Sequence, residues 1–253
     1  MAFGRVSIAA IFLLMVVLYK NYSFPNDKKS WYILILAGIL NNAVPFFLIS
    51  WGQQYINSST AAIMLSCGPF IALILSNYIT KDEKFTVFKL ISVGLGFLGV
   101  FILVGDDFII GKTEAIYGQL AILLATSGYV SSGLLIRKLY KVNVVVCSTS
   151  MFLTAMIVML PFVFFEKSLE LDYKNSSVLS IVYLAIIPTA LASLVRVQLV
   201  QRVGVQFMSQ VAYLIPIFAI FWAWMFLSEL PDINTWLALF LILLGLIIRR
   251  IKE

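Results

Sequence analysis

The sequence has no histidine, two cysteines and only 12 acidic residues among 253. Without histidine the commonest metal ligand and general base is missing. Cys67 and Cys147 fall in different apolar stretches without metal-ligand spacing, and no disulfide is expected between them. No acidic pair sits at a site-forming interval within those stretches, and no nucleophile has a recognisable base beside it. No catalytic residue, metal or cofactor is therefore expected, and an enzyme reading survives only as an unusual membrane catalyst. Charge is scarce as well: 12% of residues are charged against 62% hydrophobic, and the mean hydropathy is +1.01. A soluble globular domain has about half its residues apolar and a quarter charged, so water is not the solvent for this surface.

What fills the chain instead is a series of long apolar runs separated by short charged clusters. A membrane-crossing helix needs about 20 such residues. On that measure there are nine spans: Val6 to Tyr19, Trp31 to Tyr55, Ser58 to Ile79, Thr86 to Val104, Ala115 to Ile136, Asn143 to Phe165, Val178 to Gln201, Gln206 to Leu227 and Thr235 to Ile248. They are numbered one to nine below. Because the runs are continuously apolar rather than alternating, they read as helices and not barrel strands, and the fold class is all-α.

Within span four lies GLGFLG, Gly94 to Gly99, which has the spacing of a dinucleotide-binding fingerprint. That motif needs a soluble strand before it and an amphipathic helix after it, whereas here FKLISV and FLGVFILV flank it within one apolar run. Ser92, Gly96 and Gly99 instead make a stripe of small residues where another helix can approach closely, within this chain or in a second copy. A homo-oligomer is therefore possible.

The basic residues are distributed unevenly. Of 18 lysines and arginines, one side of the spans takes Arg5, Lys112, Lys167 and Lys174, and the other takes the rest. The positive-inside bias makes the richer side cytoplasmic, with the C-terminus inside. The net charge of +6 is thus topological: it calls for membrane lipids as neighbours and for no nucleic acid. The pattern fits a bacterial inner membrane. A first span of about 14 residues, short of the usual 17 to 25, predicts a missing segment in front of it.

The chain also repeats itself. Pro69 matches Pro216, Glu83 matches Glu229, Gly99 matches Gly245 at the same separation from that acid, and Gln54 matches Gln201. Equivalent spans are five apart, an odd number, so the two copies enter the membrane in opposite senses. The expected boundaries are 1–112 for a first repeat incomplete at its N-terminus and 113–253 for the second.

PTALASL followed by QRVG at Gln201 to Gly204, then Pro216, LSEL at 227–230 and a final LLGLII, resemble the second repeat of the EamA family of the drug/metabolite transporter superfamily. INSSTAAIMLSCGPFIALIL followed by DEKFT resembles the first repeat, and GQLAILLATSGYVSSGLLIRKL the family's central helix, with Gly118 and Ser127 in place. The resemblance implies ten helices in two inverted five-helix repeats and movement of small metabolites. The nine spans would then be the second to tenth helices. Arg196 stands where the family usually has an aromatic residue in the helix carrying TALA, and Gln198 follows two residues on. The membrane glutamate of the small multidrug relatives has no counterpart here, which leaves proton coupling without an obvious carrier.

Helix rise places a polar layer near the midplane: Asn41, Asn42, Ser66, Ser127, Thr189 and Ser193, with Tyr213 a turn toward the cytoplasm. These are the expected substrate-binding residues, together with Arg196. The hydroxyls can equally bond their own helix, and the adjacent asparagines can serve as interhelix glue. Thr189, Ser193 and Arg196 share one helical face, and an intramembrane arginine marks a functional site unless it snorkels to the surface. Pro69 and Pro216, at equivalent mid-span places, are expected hinges. Glu83 and Glu229 lie at span ends and read as interfacial. The sequence thus points to a secondary transporter or facilitator, an exporter, of small metabolites such as amino acids. The alternative is a non-transporting membrane protein, either a lipid-active enzyme or a scaffold.

Overall fold

The computed structural model describes residues 2–80, 87–109, 113–165, 175–203, 208, 214–228 and 231–251, and the regular structure among them is entirely helical. Six helices are long and apolar enough to cross a membrane: Ala2–Tyr19, Lys28–Gly52, Ser58–Leu75, Thr113–Arg137, Val144–Phe162 and Val178–Arg202. Shorter apolar helices, Leu90–Ile102, Ile217–Leu227 and Ile233–Gly245, fall on spans four, eight and nine. Tyr213, Glu83 and Glu229 lie outside the described residues.

Short polar side chains set where the helices start. Asp27 accepts the Ser30 amide at 2.7 Å, Asn143 accepts that of Val145 at 2.9 Å, and Asp232 accepts that of Thr235 at 2.8 Å, so spans two, six and nine each begin on a side chain that occupies an orphan N–H. The hydrogen bond from the Ser30 backbone holds the Asp27 carboxyl below its ordinary pKa. A depressed folded value means that this cap is intact above the ordinary carboxylate pKa and is lost as pH falls through the lower one. Spans one and eight end on residues with positive φ, Asn21 at 52° and Ser228 at 55°.

Several spans are interrupted, and proline accounts for most of it. Span three breaks between Ser58–Leu65 and Gly68–Thr80. Pro69 lies just beyond the break, where its ring has no N–H to return to Leu65 four residues back. Spans two and seven each contain a π-helical turn, Ile39–Ala43 and Ile186–Leu191. Pro45 follows the first and Pro188 lies within the second. The two turns open 147 positions apart, at Ile39 and Ile186. Gln54 and Gln201 have that same separation, so the repeat seen in the sequence reappears as matched irregularities of backbone.

The helices group into two compact units, residues 1–47 with 131–208 and residues 48–130 with 209–253, so each unit draws spans from both copies of the repeat. In the first, span one packs along span six, its counterpart, and also along span seven and its π turn, while span six packs on span two and its π turn. The core there joins Val6, Ala9, Ala10 and Leu13 to Phe152, Ala155 and Met159. Spans two and six come so close at Gly38 that an added Cβ would stand 2.7 Å from the Met151 carbonyl oxygen.

In the second unit span four packs along span nine and span three along span eight. The small-residue stripe of GLGFLG makes the first of these contacts within the chain. A Cβ at Gly99 would stand 2.9 Å from the Ala238 carbonyl oxygen, and one at Gly245 would stand 2.8 Å from that of Ser92. At Gly94, by contrast, nothing lies within 4 Å. Gly99→Ala should therefore destabilise the purified protein by about 1–3 kcal/mol through overpacking. Gly94→Ala should be neutral, or stabilising by about 0.5–1 kcal/mol through helix propensity. Thermal melting in detergent distinguishes them, and equal melting temperatures would contradict the packing described.

Candidate functional site

Pro188 has no N–H for the Leu184 carbonyl, four residues back in the same helix. The hydroxyl of the next residue supplies the missing donor: Thr189 Oγ1 donates to Leu184 O at 2.7 Å. The same oxygen accepts from Nε of Arg5 on span one. The Arg5 guanidinium carbon stands 4.9 Å from the centre of the Phe46 ring on span two, a cation–π contact. Thr189 lies near the middle of the apolar span Val178–Arg202, about 17 Å along the axis from one end and about 20 Å from the other. Arg5 therefore brings its charge to mid-depth of span seven, which is costly in hydrocarbon and a mark of function.

The π turn of span two buries two consecutive asparagines, Asn41 and Asn42. Ser132 Oγ donates to Asn41 Oδ1 at 3.0 Å, and Asn41 Nδ2 donates to Asn42 Oδ1 at 2.8 Å. The chain of donors runs one way and ends on Asn42 Nδ2, which is buried and has no hydrogen-bond partner among the described residues. One turn beyond Thr189 on span seven, Ser193 Oγ donates weakly to Ser148 Oγ on span six at 3.4 Å.

Of the expected site residues, Asn41, Asn42, Thr189, Ser193 and Arg196 belong to the first compact unit. Arg196 is half-buried, seven residues beyond Thr189 and six before Arg202. Ser66 and Ser127 belong to the second unit, where each bonds its own helix, to Ile63 O at 2.7 Å and to Leu123 O at 3.0 Å. Pro69 is buried behind the break in span three, and Pro216 lies within the helix Leu214–Trp222.

Sequence reasoning passed over Arg5, Phe46, Ser132 and Ser148. Arg5 was assigned to a loop because it precedes the first apolar residue of span one; the signal available was that the helix is too short to span unless it starts earlier. The serines carried none. Ser132→Ala should cost about 1–2 kcal/mol by removing the donor to Asn41 Oδ1. Ser66→Ala and Ser127→Ala should shift the melting temperature little, since each removes a hydroxyl that serves its own turn. Equal effects from all three would contradict the network.

Three comparisons bear on what such a site belongs to. The model of the EamA-like transporter family matches residues 1–105 and again 116–250. The uncharacterized transporter YoaV of Bacillus subtilis is 20% identical over 93% of this chain and 80% of its own length. Another from that organism, YdfC, is 25% identical over 92% of this chain and 75% of its own. A solved crystal structure shares the fold with a TM-score of 0.71, at 17% identity, across 99% of this chain and 86% of that one. The chain belongs to the EamA-like transporter family, and it is a multi-pass membrane transporter rather than an enzyme.

Proposed function

We propose that this transporter moves small metabolites such as amino acids, as a secondary exporter or facilitator, by exposing a midplane site alternately to the two sides of the membrane. The observation that carries the reading is the matched pair of π turns. Spans two and seven are counterparts in copies of opposite sense, and each carries buried polar side chains at its irregular turn: Asn41 and Asn42 on one, Thr189 on the other. Irregular backbone at membrane depth is tolerated where it is buried in protein or lines a cavity, and inverted repeats place substrate between such helices. We take 1–112 and 113–253 as the two copies. Asn41, Asn42, Thr189 and Ser193 then contact substrate, and Pro69 and Pro216 bend their spans.

For orientation, the loops between spans one and two and between spans five and six enclose a cavity of about 910 Å³ bearing Lys29, Lys138 and Lys141. Gathering these lysines on one face supports a cytoplasmic side there, in a bacterial inner membrane with the C-terminus inside. On this arrangement Arg196 lies between the midplane and the cytoplasm and draws anionic groups into the inner vestibule.

Counterflow into liposomes, run with a labelled metabolite panel weighted toward amino acids, tests the reading. Saturable uptake is expected from the wild type. Arg196→Ala should raise KM severalfold with little change in the maximal rate, as loss of electrostatic steering does. No saturable uptake of any compound by folded protein would refute it.

A further inference from the structure

We propose that the cavity between the loop joining spans one and two and the loop joining spans five and six binds the headgroup of an anionic phospholipid, through its phosphate. The inference goes beyond the transport reading and requires only that the chain lie in a membrane. The cavity measures about 910 Å³ and gathers Tyr22, Lys29 and Ser30 from one side with Lys138, Tyr140 and Lys141 from the other. All six belong to the first compact unit.

Charge selects the sign of the ligand. The lining holds three lysines and one acid, Asp27, whose carboxylate is engaged by the Ser30 amide at 2.7 Å. Spans two and six both begin at this cavity, on the caps Asp27 and Asn143, so the positive ends of two helices add to the lysines. A phosphate, which is an anion and accepts hydrogen bonds, complements this lining, whereas a headgroup that presents an ammonium meets like charge. Ser23, Ser30 and Asn26 offer partners to the hydroxyls of a glycerol headgroup.

Position selects a lipid over a soluble anion. The apolar spans Ala2–Tyr19 and Thr113–Arg137 end at these two loops, and Lys28–Gly52 and Val144–Phe162 begin there. Four apolar spans thus terminate around the cavity, which sets it at the level of the headgroups. Tyr19, Tyr32 and Tyr140 lie at the same span ends with most of their surface exposed, as interfacial anchors do. Lys20 and Lys141 lay their ammonium groups over the rings of Tyr19 and Tyr140, at 5.6 and 5.7 Å from the ring centres. The cavity also has more room than a bare phosphate needs.

Both loops are held in place without a ligand. Trp31 Nε1 donates to Pro25 O at 2.8 Å, and the Phe24 ring stacks on Trp31 with centroids 5.9 Å apart. Across the cavity, Gln201 Nε2 on span seven donates to Leu139 O at 2.9 Å and to Val142 O at 3.2 Å, which fixes the backbone on either side of Tyr140 and Lys141. A site whose backbone is set beforehand loses less conformational freedom on binding.

The test uses the full chain purified in dodecyl maltoside, with phosphatidylglycerol, phosphatidylethanolamine and inorganic phosphate as probes. Native mass spectrometry counts retained lipid, and thermal melting reads stabilisation. Wild type is expected to retain phosphatidylglycerol and to melt at a higher temperature with it, and to do neither with phosphatidylethanolamine. Replacing Lys29, Lys138 and Lys141 together with glutamine should weaken phosphatidylglycerol binding by about a hundredfold, about fivefold for each lysine. The control replaces Lys20, Lys28 and Arg137 with glutamine: these are exposed cations at the same span ends that do not line the cavity, and binding should change by less than about threefold.

Equal weakening by the two triple variants would overturn the site, since attraction to the basic surface as a whole would then suffice. Retention of phosphatidylethanolamine as strong as that of phosphatidylglycerol would also overturn it. Inorganic phosphate that raises the melting temperature as far as the lipid does would overturn the lipid as occupant. If the cavity triple variant fails to fold, the contrast between the two lipids on the wild type still decides. None of these outcomes bears on transport, which counterflow reads separately.

Discussion

The structure turns on a backbone carbonyl that proline has deprived of its donor. In hydrocarbon no water replaces a missing hydrogen bond, so the Leu184 carbonyl ahead of Pro188 must be satisfied by the protein. Thr189 satisfies it, and in doing so its hydroxyl is fixed with the oxygen turned toward span one, where Arg5 donates to it. Had Pro188 been an ordinary helix former, Leu184 would have been bonded within its turn and Thr189 would have had no need to face inward. The irregular turn, the inward hydroxyl and the mid-depth arginine are one linked arrangement. A guanidinium at that depth persists because the hydroxyl and the Phe46 face replace part of its hydration.

The same logic operates on the matching span. The π turn before Pro45 buries Asn41 and Asn42 together, and Ser132 polarises them in one direction. Duplication then accounts for the packing. Span one lies against span seven as span six lies against span two, and the counterparts one and six lie against each other. Such reciprocal contacts arise when two copies of one element set pair across a pseudo-two-fold axis. The glycines serve this pairing: Gly38, Gly99 and Gly245 each stand where a neighbouring carbonyl leaves no room for a side chain.

Much of this was legible in the sequence. Continuous apolar runs gave the helices because a lipid environment permits few alternatives, and the ordered matches of Pro69, Gly99 and Gln54 with their partners gave the repeat. The polar residues Asn41, Asn42 and Thr189 stood out because amides and hydroxyls at mid-span are costly. What could not be read was which serines bridge helices. Ser127 and Ser132 lie on the same helix, yet the first bonds its own turn and the second reaches Asn41, a distinction set by the rotation of span five against span two. Arg5 was misplaced for a different reason: charge at the margin of an apolar run looks like a loop until the depth of its partner is known.

The central claim is that the polar centre of the first unit opens to both sides of the membrane. Its most direct test is reactivity of a single cysteine at Ser193, one turn from Thr189, after replacing the buried free cysteines Cys67 and Cys147 with alanine. A membrane-impermeant maleimide should label Ser193→Cys in right-side-out and in inside-out vesicles, and a transported metabolite should slow the reaction from either side. Labelling from neither side, in protein that denaturation shows to carry a reactive thiol, would contradict the account.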